Sequence, residues 1–299
     1  GLVGSEMCIR DRALFAQDEI KLLRNLQALI GVRYIYHENF KNHATPNVAL
    51  MYKPGKFNFR ASYAAGFRTP TLSELYATDI AKKNDRLTIG NLDLKPEKNN
   101  YFSLSAEYVH ERFSVSVNAF YNNIRDMIDY NTIATGDKAM EQYGHKEVRQ
   151  RDNIAEAKVH GINVSANAYL GAGFNLSGGY THLNTQDVEL EQPIDKSIKN
   201  AYNINAQWAH SWKIYRLNIN LNGRINSKRF SKSYGYAPEY QLWDLNTRHS
   251  FNLKSVIIEP GCGMENLFDY MDDRPYNSNY ATLTPGRSFY ISLSLKFKS

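Results

Sequence analysis

The sequence predicts an all-β protein, namely an antiparallel, up-and-down β-barrel that spans a membrane. Three observations support this class. Segments of alternating apolar and polar residues recur from residue 13 to the end of the chain. The connections between these segments alternate between short and long. No apolar run reaches the roughly eighteen residues that a membrane-spanning helix needs.

The last segment, Ser288–Phe297, shows the alternation most clearly, with the sequence S-F-Y-I-S-L-S-L-K-F. Successive side chains of a strand point to opposite faces, so one face of this segment is apolar and the other is polar. A tilted strand needs about ten residues to cross a bilayer, and this segment has that length. A half-buried strand of a soluble sheet has the same pattern, so the argument depends on its recurrence.

About thirteen segments of this kind follow one another, and no long amphipathic helix interrupts them. The first is weakly patterned and two near the end are less regular, whereas the remainder alternate apolar residues with Asn, Ser, Gln or Arg. In order, they lie at 13–22, 26–36, 48–52, 57–63, 102–108, 113–121, 162–170, 174–181, 202–208, 215–224, 241–251, 256–267 and 288–297.

The lengths of the connections indicate a membrane barrel. Short turns are predicted near residues 24, 54–55, 111, 171–173, 211 and 253, and they alternate with long intervals at 37–46, 67–100, 122–160, 183–200, 226–239 and 268–287. In an up-and-down sheet this alternation places every short turn at one end. Outer-membrane barrels have short periplasmic turns and long extracellular loops, whereas a soluble sandwich has no reason to sort its loops.

The two faces of the predicted sheet also suit a membrane barrel. The polar face is rich in amides, hydroxyls and arginines, which fit a hydrated interior better than a protein core. Aromatic side chains near the strand ends fit the girdles of a membrane barrel. These are Tyr36, Tyr63, Tyr108, Tyr121, Trp208 and Trp212.

Composition excludes several other classes. The net charge of +6 is spread along the 299 residues, and no basic patch or zinc-finger spacing indicates nucleic acid. The two cysteines, Cys8 and Cys262, form neither a disulfide framework nor a metal-ligand pair. The histidines are scattered and none has a metal-ligand spacing. We therefore expect no catalytic residue, no metal site, no cofactor and no nucleic-acid partner.

The first twelve residues, G-L-V-G-S-E-M-C-I-R-D-R, resemble translated sequencing-adapter read-through. We therefore expect residues 1–12 to be a non-native leader and residues 13–299 to be barrel. An odd number of strands is unusual for a complete bacterial barrel, so this interpretation also implies sequence that is missing from the chain.

Three stretches resemble the C-terminal half of TonB-dependent outer-membrane receptors, which import siderophores, vitamin B12 and similar scarce nutrients. The first is A-G-F-R-T-P-T-L-S-E-L-Y at 65–76, the second is G-N-L-D-L-K-P-E at 90–97, and the third is E-N-L-F at 265–268 followed by P-G-R at 285–287. The matching residues are Gly66, Arg68, Pro70, Glu74, Gly90, Asn91, Pro96, Glu97, Asn266, Phe268, Gly286 and Arg287, with Phe297 as the terminal aromatic residue. Leu92 stands where the family usually has proline. Such receptors also commonly end on an aromatic residue, whereas Lys298 and Ser299 follow Phe297 here.

The resemblance implies that this chain supplies about thirteen strands of a probable 22, without the plug domain and the TonB box. It implies an active-transport receptor in the bacterial outer membrane, with membrane lipid, TonB and a small-molecule nutrient as partners. Within the first motif, Pro70 is expected to end a strand. Thr71 and Glu74 have the spacing of a capping box, so a short helical turn is expected to begin there.

Polar and aromatic loop residues are the candidates for ligand contact, because aromatic faces and guanidinium groups suit a bulky anionic chelate. They are Tyr143, Arg149, Arg151, Tyr234, Tyr236, Tyr276 and Tyr280. Arg60, Arg216 and Arg224 are expected on the polar face, facing the lumen or plug. A passive porin without a plug is the alternative function. A soluble adhesin or sandwich and a barrel enzyme with a site assembled across strands also remain open.

Overall fold

A computed structural model of the chain describes residues 11–37, 40–82, 84–231, 235–272 and 284–298. Its thirteen long strands form one continuous sheet in which each strand pairs antiparallel with the next long strand of the chain. This order confirms the predicted up-and-down topology.

The described part of the chain is almost entirely β-structure, with two short helices in the long connections. In chain order, the elements are β1 (Asp11–Leu23), β2 (Leu26–His37), β3 (Lys41–Tyr52), β4 (Phe57–Arg68), α1 (Leu72–Tyr76), β5 (Thr78–Ala81), β6 (Arg86–Ile89), β7 (Glu97–Val109), β8 (Phe113–Thr135), α2 (Gly136–Tyr143), β9 (Glu147–Gly171), β10 (Phe174–Asp187), β11 (Asn200–Trp212), β12 (Tyr215–Asn226), β13 (Arg229–Ser231), β14 (Gly235–Ala237), β15 (Tyr240–Asn252), β16 (Val256–Glu265) and β17 (Ser288–Phe297). Within the described residues, neither helix is long and apolar enough to cross a membrane.

The sheet has one apolar and one polar face, as the alternation predicts. The apolar side chains are exposed rather than packed in a core: Leu104 is 63% exposed and Ile291 is 89% exposed. On the polar face, hydroxyls and amides bond across neighbouring strands, as in the pair Ser62 and Ser103 at 2.6 Å between their Oγ atoms. A contiguous exposed apolar face of this extent is much larger than the apolar patches of water-soluble monomers and is typical of the outer face of a membrane barrel.

Rings form two belts on the apolar face. Near the short turns, Trp212 contacts the rings of Trp208, His210 and Tyr215. Towards the long connections, Tyr180 stacks on Tyr202 with ring centroids 4.8 Å apart. Ten residues separate Tyr202 from Trp212, or about 33 Å along the strand, which a tilt near 40° reduces to about 25 Å of membrane thickness.

Two of the predicted long intervals are wrong, because strands occupy most of them. β3 begins at Lys41, so the interval 37–46 reduces to a tight hairpin, and β8 and β9 extend through most of the interval 122–160. The extensions of β8 and β9 lie beyond the aromatic belt, and their ladder has register shifts between residues 124 and 128 and between 132 and 134 of β8. Their side chains therefore lack the sustained alternation on which the strand prediction depended, although the backbone ladder continues.

The sheet has two free edges among the described residues, because β1 and β17 each pair with a single strand. β1 starts at Asp11, which pairs with His37, and Arg12 pairs with Tyr36. Two residues of the expected leader thus continue the first strand, and residues 1–10, including Cys8, lie outside the described part.

Candidate functional site at the long-loop end

The first and second motifs meet at the end of the sheet that carries the long connections. Arg68, the last residue of β4, lies opposite Glu97, the first residue of β7, and its guanidinium donates to both carboxylate oxygens of Glu97 at 2.8 and 2.6 Å. The same guanidinium donates to Glu74 of α1 at 2.9 and 3.2 Å. One arginine therefore joins two strands and a loop helix through charge-assisted hydrogen bonds.

The helix α1 begins as the sequence predicts. Pro70 follows the end of β4, and the Thr71 hydroxyl accepts a hydrogen bond from the backbone N–H of Glu74 at 3.2 Å. The Glu74 carboxylate accepts in turn from the backbone N–H of Thr71 at 2.8 Å, which completes the capping box. Glu74 therefore stabilises both the helix start and the contact with Arg68.

Gly90 is glycine because the backbone of α1 passes against it. A Cβ at this position would lie 2.5 Å from the carbonyl oxygen of Leu75 and 2.7 Å from the backbone nitrogen of Tyr76. The N–H of Gly90 donates to Ala77 O, and the N–H of Asn91 donates to Glu74 O. The second motif is therefore bonded directly to the first.

The segment 69–96, called here the motif loop, is anchored to the β8–β9 hairpin. Leu75 and Leu94 pack with Ile128 in a small buried cluster, and Phe40 packs against it. Asn153 of β9 accepts from Lys95 N at 2.7 Å and donates to Lys95 O at 2.9 Å. Glu97 also accepts from the backbone N–H of Ile128 at 2.9 Å. The motif residues therefore position a long loop.

Burial alone would raise the pKa of Glu74, but the hydrogen bonds from Arg68 and from Thr71 outweigh it and hold that pKa below its usual value. A second hydrogen bond between titratable side chains lies further out, where Asp85 Oδ1 is 2.8 Å from His145 Nδ1. The hydrogen bond to His145 holds the pKa of Asp85 below its usual range. This contact joins the β5–β6 hairpin to the segment after α2.

The third motif closes the connection between β16 and β17. Asn266, which is 5% exposed, has φ +52° and donates from its side-chain amide to Tyr270 O at 2.8 Å and to Pro285 O at 3.1 Å. Its Oδ1 accepts from Tyr270 N at 2.8 Å. The N–H of Arg287 donates to Asp269 Oδ1 at 2.7 Å, beside Gly286. These motif residues thus hold the two ends of the connection together.

The remaining motif residues have separate surroundings. Gly66 lies under the side chain of Asn99 from the paired strand. Pro96 is buried, whereas Phe268 is exposed beside the ring of Trp243. Phe297 is 81% exposed on the apolar face of the edge strand β17.

Two of the candidate ligand residues, Arg149 and Arg151, lie together on one face of the extended β8–β9 hairpin. Arg149 donates to Glu147, and the guanidinium of Arg151 lies 3.6 Å from the centre of the Tyr130 ring. No register shift separates them from Asn153 on β9, so both side chains share the local face of Asn153, which bonds to the motif loop at Lys95.

Tyr143 packs instead against a buried cluster of Leu87, Ala139 and Val148, on the other face of the same hairpin. The parallel pairing of β6 with β9 places Leu87 beside Val148 in this cluster. Tyr236 is 57% exposed on β14, where its ring meets Phe230. Tyr234, Tyr276 and Tyr280 lie outside the described residues.

Arg60 and Arg224 line hollows in the polar face. The hollow at Arg60 has a volume of about 430 Å³ and includes Ser62, Ser105 and Asn118. The hollow at Arg224 has a volume of about 380 Å³ and is rich in amides, which come from Asn167, Asn203, Asn205 and Asn222. Arg216 is exposed on the same face, nearer the short turns, opposite Ser211 and Ser250.

The sequence did not indicate several residues that build this end of the molecule. The contacts of Asn153, Ile128, Tyr130 and Asp85 join segments that are far apart in sequence, and no motif marks them. Within the part of the chain that the structure describes, no cluster of three or more potential metal ligands occurs.

Comparison with known proteins defines the class. Residues 8–267 match the family model described as TonB dependent receptor-like, beta-barrel. The fold is similar to the ferric enterobactin receptor PfeA of Pseudomonas aeruginosa, in a mutant form, with a TM-score of 0.78 and 21% identity over 97% of this chain and 45% of that chain. It is also similar to the siderophore receptor PirA of Acinetobacter baumannii, with a TM-score of 0.75 and 17% identity over 97% of this chain and 46% of that one.

A third similar structure is the copper transporter OprC, with a TM-score of 0.72 and 12% identity over 96% of this chain and 48% of that chain. The chain thus spans somewhat less than half the length of these structures. It belongs to the TonB-dependent receptor family and forms part of its β-barrel.

Proposed function

We propose that this chain forms the C-terminal part of the wall of a bacterial outer-membrane receptor that imports a scarce nutrient by active transport. The observation that carries the proposal is the two-faced wall: an exposed apolar face with aromatic belts, backed by a polar face, in a chain of the TonB-dependent receptor family. The chain lies in outer-membrane lipid, its polar face lines the lumen, and TonB supplies energy to the complete receptor.

The ligand class we propose is a metal chelate such as a ferric siderophore, with cobalamin and haem as the other candidates. Arg149 and Arg151 support an anionic ligand, because guanidinium groups beside an aromatic ring bind such groups well. Similar structures include a ferric enterobactin receptor and a copper transporter, so the fold itself leaves the ligand open.

The experiment is ligand uptake by cells that express the full-length receptor carrying this chain, with and without TonB. We expect uptake of a ferric siderophore from a test panel in cells with TonB and loss of that uptake in cells without it. Arg149→Gln combined with Arg151→Gln should raise the half-saturating ligand concentration about tenfold, which corresponds to about 1.4 kcal/mol. The matched variant Arg112→Gln, at a short turn, should leave it unchanged.

Uptake that persists without TonB, and that rises in proportion to ligand concentration without saturating, would instead indicate a passive porin. In that case the receptor assignment fails. If uptake is saturable and depends on TonB but is unchanged in the double variant, the proposed transport function stands. The proposed role of Arg149 and Arg151 is then contradicted.

A further inference from the structure

We propose that the apolar face carries a binding site for the phosphate group of an outer-leaflet lipid, formed by Lys98, Arg125 and Lys158. The inference rests on the proposed outer-membrane location. The three residues come from the adjacent strands β7, β8 and β9, and they are called here the basic triad.

The pairing of the strands brings the triad together. Lys98 lies directly opposite Arg125, and Lys158 lies directly opposite Asn123, two residues before Arg125 on β8. Lys98 shares the face of Phe102 and Leu104, and Arg125 shares the face of Val117 and Tyr121, because side chains alternate along a strand. The triad therefore projects on the lipid-facing side rather than into the lumen.

The level of the triad fits lipid headgroups. Lys98 and Arg125 lie four residues beyond Phe102 and Tyr121, towards the long connections, and Lys158 lies two residues beyond His160. At about 3.3 Å per residue and a tilt near 40°, these positions are about 5 to 10 Å above the upper aromatic belt. The headgroup layer begins at the belt and extends over a similar distance.

The charge of the triad is only partly balanced by the protein. Two cations directly opposite each other across a strand pair destabilise a sheet, so the Lys98–Arg125 pair calls for an anion. Among the described residues, the one ion pair of the triad joins Lys158 Nζ to Glu156 Oε1 at 3.9 Å, at the limit of such a contact. One carboxylate against three cations leaves a net positive charge.

A buried polar atom lies in the middle of the triad. Asn123 is 8% exposed, and its Oδ1 has no hydrogen-bond partner within the described residues. It lies opposite both Asn100 and Lys158. A lipid phosphate that bridges the three cations around this residue is the chemistry that arginine and lysine bind.

The test measures lipid bound to the full-length receptor purified in detergent, by native mass spectrometry. The probe is lipid A that carries both of its phosphates, with the same lipid after removal of the phosphates as comparison. The variant is Lys98→Gln, Arg125→Gln and Lys158→Gln together. The matched control removes three exposed cations near the short turns, by Lys53→Gln, Lys56→Gln and Arg112→Gln.

We expect wild type and control to retain phosphorylated lipid A and to bind the dephosphorylated lipid about tenfold more weakly. The triad variant should bind the phosphorylated lipid about tenfold more weakly than the wild type does. Equal retention by the triad variant and the wild type would overturn the proposal. Displacement of the lipid by millimolar inorganic phosphate, with phosphate itself retained, would also overturn it, because the site would then take free anion.

Folding and location are checked separately from lipid binding. A heat-modifiable gel band shows that each variant has folded, and the Lys98→Ala single variant provides a milder change if the triple variant is lost. Lipid retention is measured without ligand or TonB. A wild-type receptor that transports ligand but retains no lipid A contradicts this inference alone, whereas a protein absent from the outer membrane contradicts the proposed function.

Discussion

The packing of the motif loop depends on a single residue, Gly90, because a larger side chain does not fit there. A methyl group at this position would lie 2.5 Å from Leu75 O, and backbone atoms cannot move aside as a flexible side chain can. Such a shift would separate the first motif from the second. The backbone hydrogen bonds from Gly90 to Ala77 and from Asn91 to Glu74 would then be lost.

We expect Gly90→Ala to destabilise the docked motif loop by roughly 1–3 kcal/mol, because inserting a methyl group into a tight contact forces the backbone to shift. The measurement is the rate of proteolytic cleavage within residues 69–96 of the folded receptor. Gly178→Ala is the control, since a Cβ there would meet nothing nearer than Asn203 O at 3.5 Å. Cleavage of Gly90→Ala at the wild-type rate would contradict this account.

The Glu74 carboxylate makes the motif loop sensitive to acid. Because the pKa of Glu74 is lowered in the folded protein, its contribution to stability is present above its ordinary pKa, near 4.5, and is lost as the pH falls through the lower folded value. We expect cleavage of the motif loop by an acid-active protease to accelerate below a pH of about 4.5.

Two variants separate Glu74 from general acid effects. Glu74→Gln should be cleaved faster than wild type at neutral pH and show a weaker acceleration in acid. Glu141→Gln, which removes an exposed carboxylate of α2, should retain the wild-type pH dependence. Identical pH profiles for wild type and Glu74→Gln would show that this carboxylate does not hold the loop.

Sequence reasoning at the residue scale succeeded where the contact is local. The capping box of Thr71 and Glu74 is confirmed, because both residues lie in one turn and their spacing alone defines the interaction. The ion pair between Arg68 and Glu97 spans 29 residues, so its existence depends on the register of β4 with β7. The arginine and both carboxylates were identified by motif, but their contact was not.

At the element scale, the connection between β16 and β17 depends on Asn266. Its side chain makes two donor bonds and one acceptor bond to the backbone of the connection, and its own N–H donates to Asp244 Oδ1 at 3.0 Å. The connection therefore has an internal frame that does not depend on apolar packing.

We expect Asn266→Ala to lower stability by about 3 kcal/mol, since three side-chain hydrogen bonds of about 1 kcal/mol each are lost at a buried site. The measurement is the temperature at which the receptor loses its folded gel mobility. Asn252→Ala, at an exposed position beside a short turn, should leave that temperature within a degree or so of wild type. If Asn266→Ala and Asn252→Ala lost folded gel mobility at the same temperature, the structural role of Asn266 would be contradicted.

The alternation of residues located the strands but not their ends. β17 agrees with the sequence over its whole length, because it lies within the apolar layer. β8 and β9 extend well beyond their predicted limits, since outside this layer the backbone ladder continues through register shifts that interrupt the alternation of side chains. The pairing of β6 with β9 has no local signal, because four-residue strands in a loop carry too few residues for a pattern.

At the scale of the whole molecule, the two free edges limit what the chain can do alone. β1 has 13 residues and β17 has 10, and each presents an unpaired backbone edge. Unpaired backbone groups are severely costly in hydrocarbon. A sheet with these edges therefore needs further strands or another chain to close it.

We expect the 299-residue chain, produced without additional sequence and refolded in detergent, to aggregate or associate through these edges. Gel electrophoresis with and without heating, together with light scattering, measures the outcome. A full-length receptor treated in parallel should give the heat-modifiable monomer. A monomeric, heat-modifiable band from the 299-residue chain would show that the edges close without further sequence.

The whole architecture was predictable because it follows from repetition. Thirteen alternating segments and sorted connections specify an up-and-down sheet even where single segments such as β1 are weak. The ligand was not predictable, because side chains such as Arg149 and Tyr143 depend on hairpin tips that have no periodic pattern. On the same hairpin, Arg149 follows the buried Val148 on the opposite face, and Tyr143 packs in the small core beside Val148.

In the proposed receptor, one face of this wall contacts lipid and the other lines a water-filled lumen. A spin-label scan along β11 tests this directly, in the full-length receptor in membranes with native cysteines removed. Labels at Ile204 and Ala206 should be relaxed by oxygen, which concentrates in lipid. Labels at Asn205 and Gln207 should respond to a water-soluble nickel chelate. Accessibility without this period of two would contradict the membrane wall, and the proposed transport function with it.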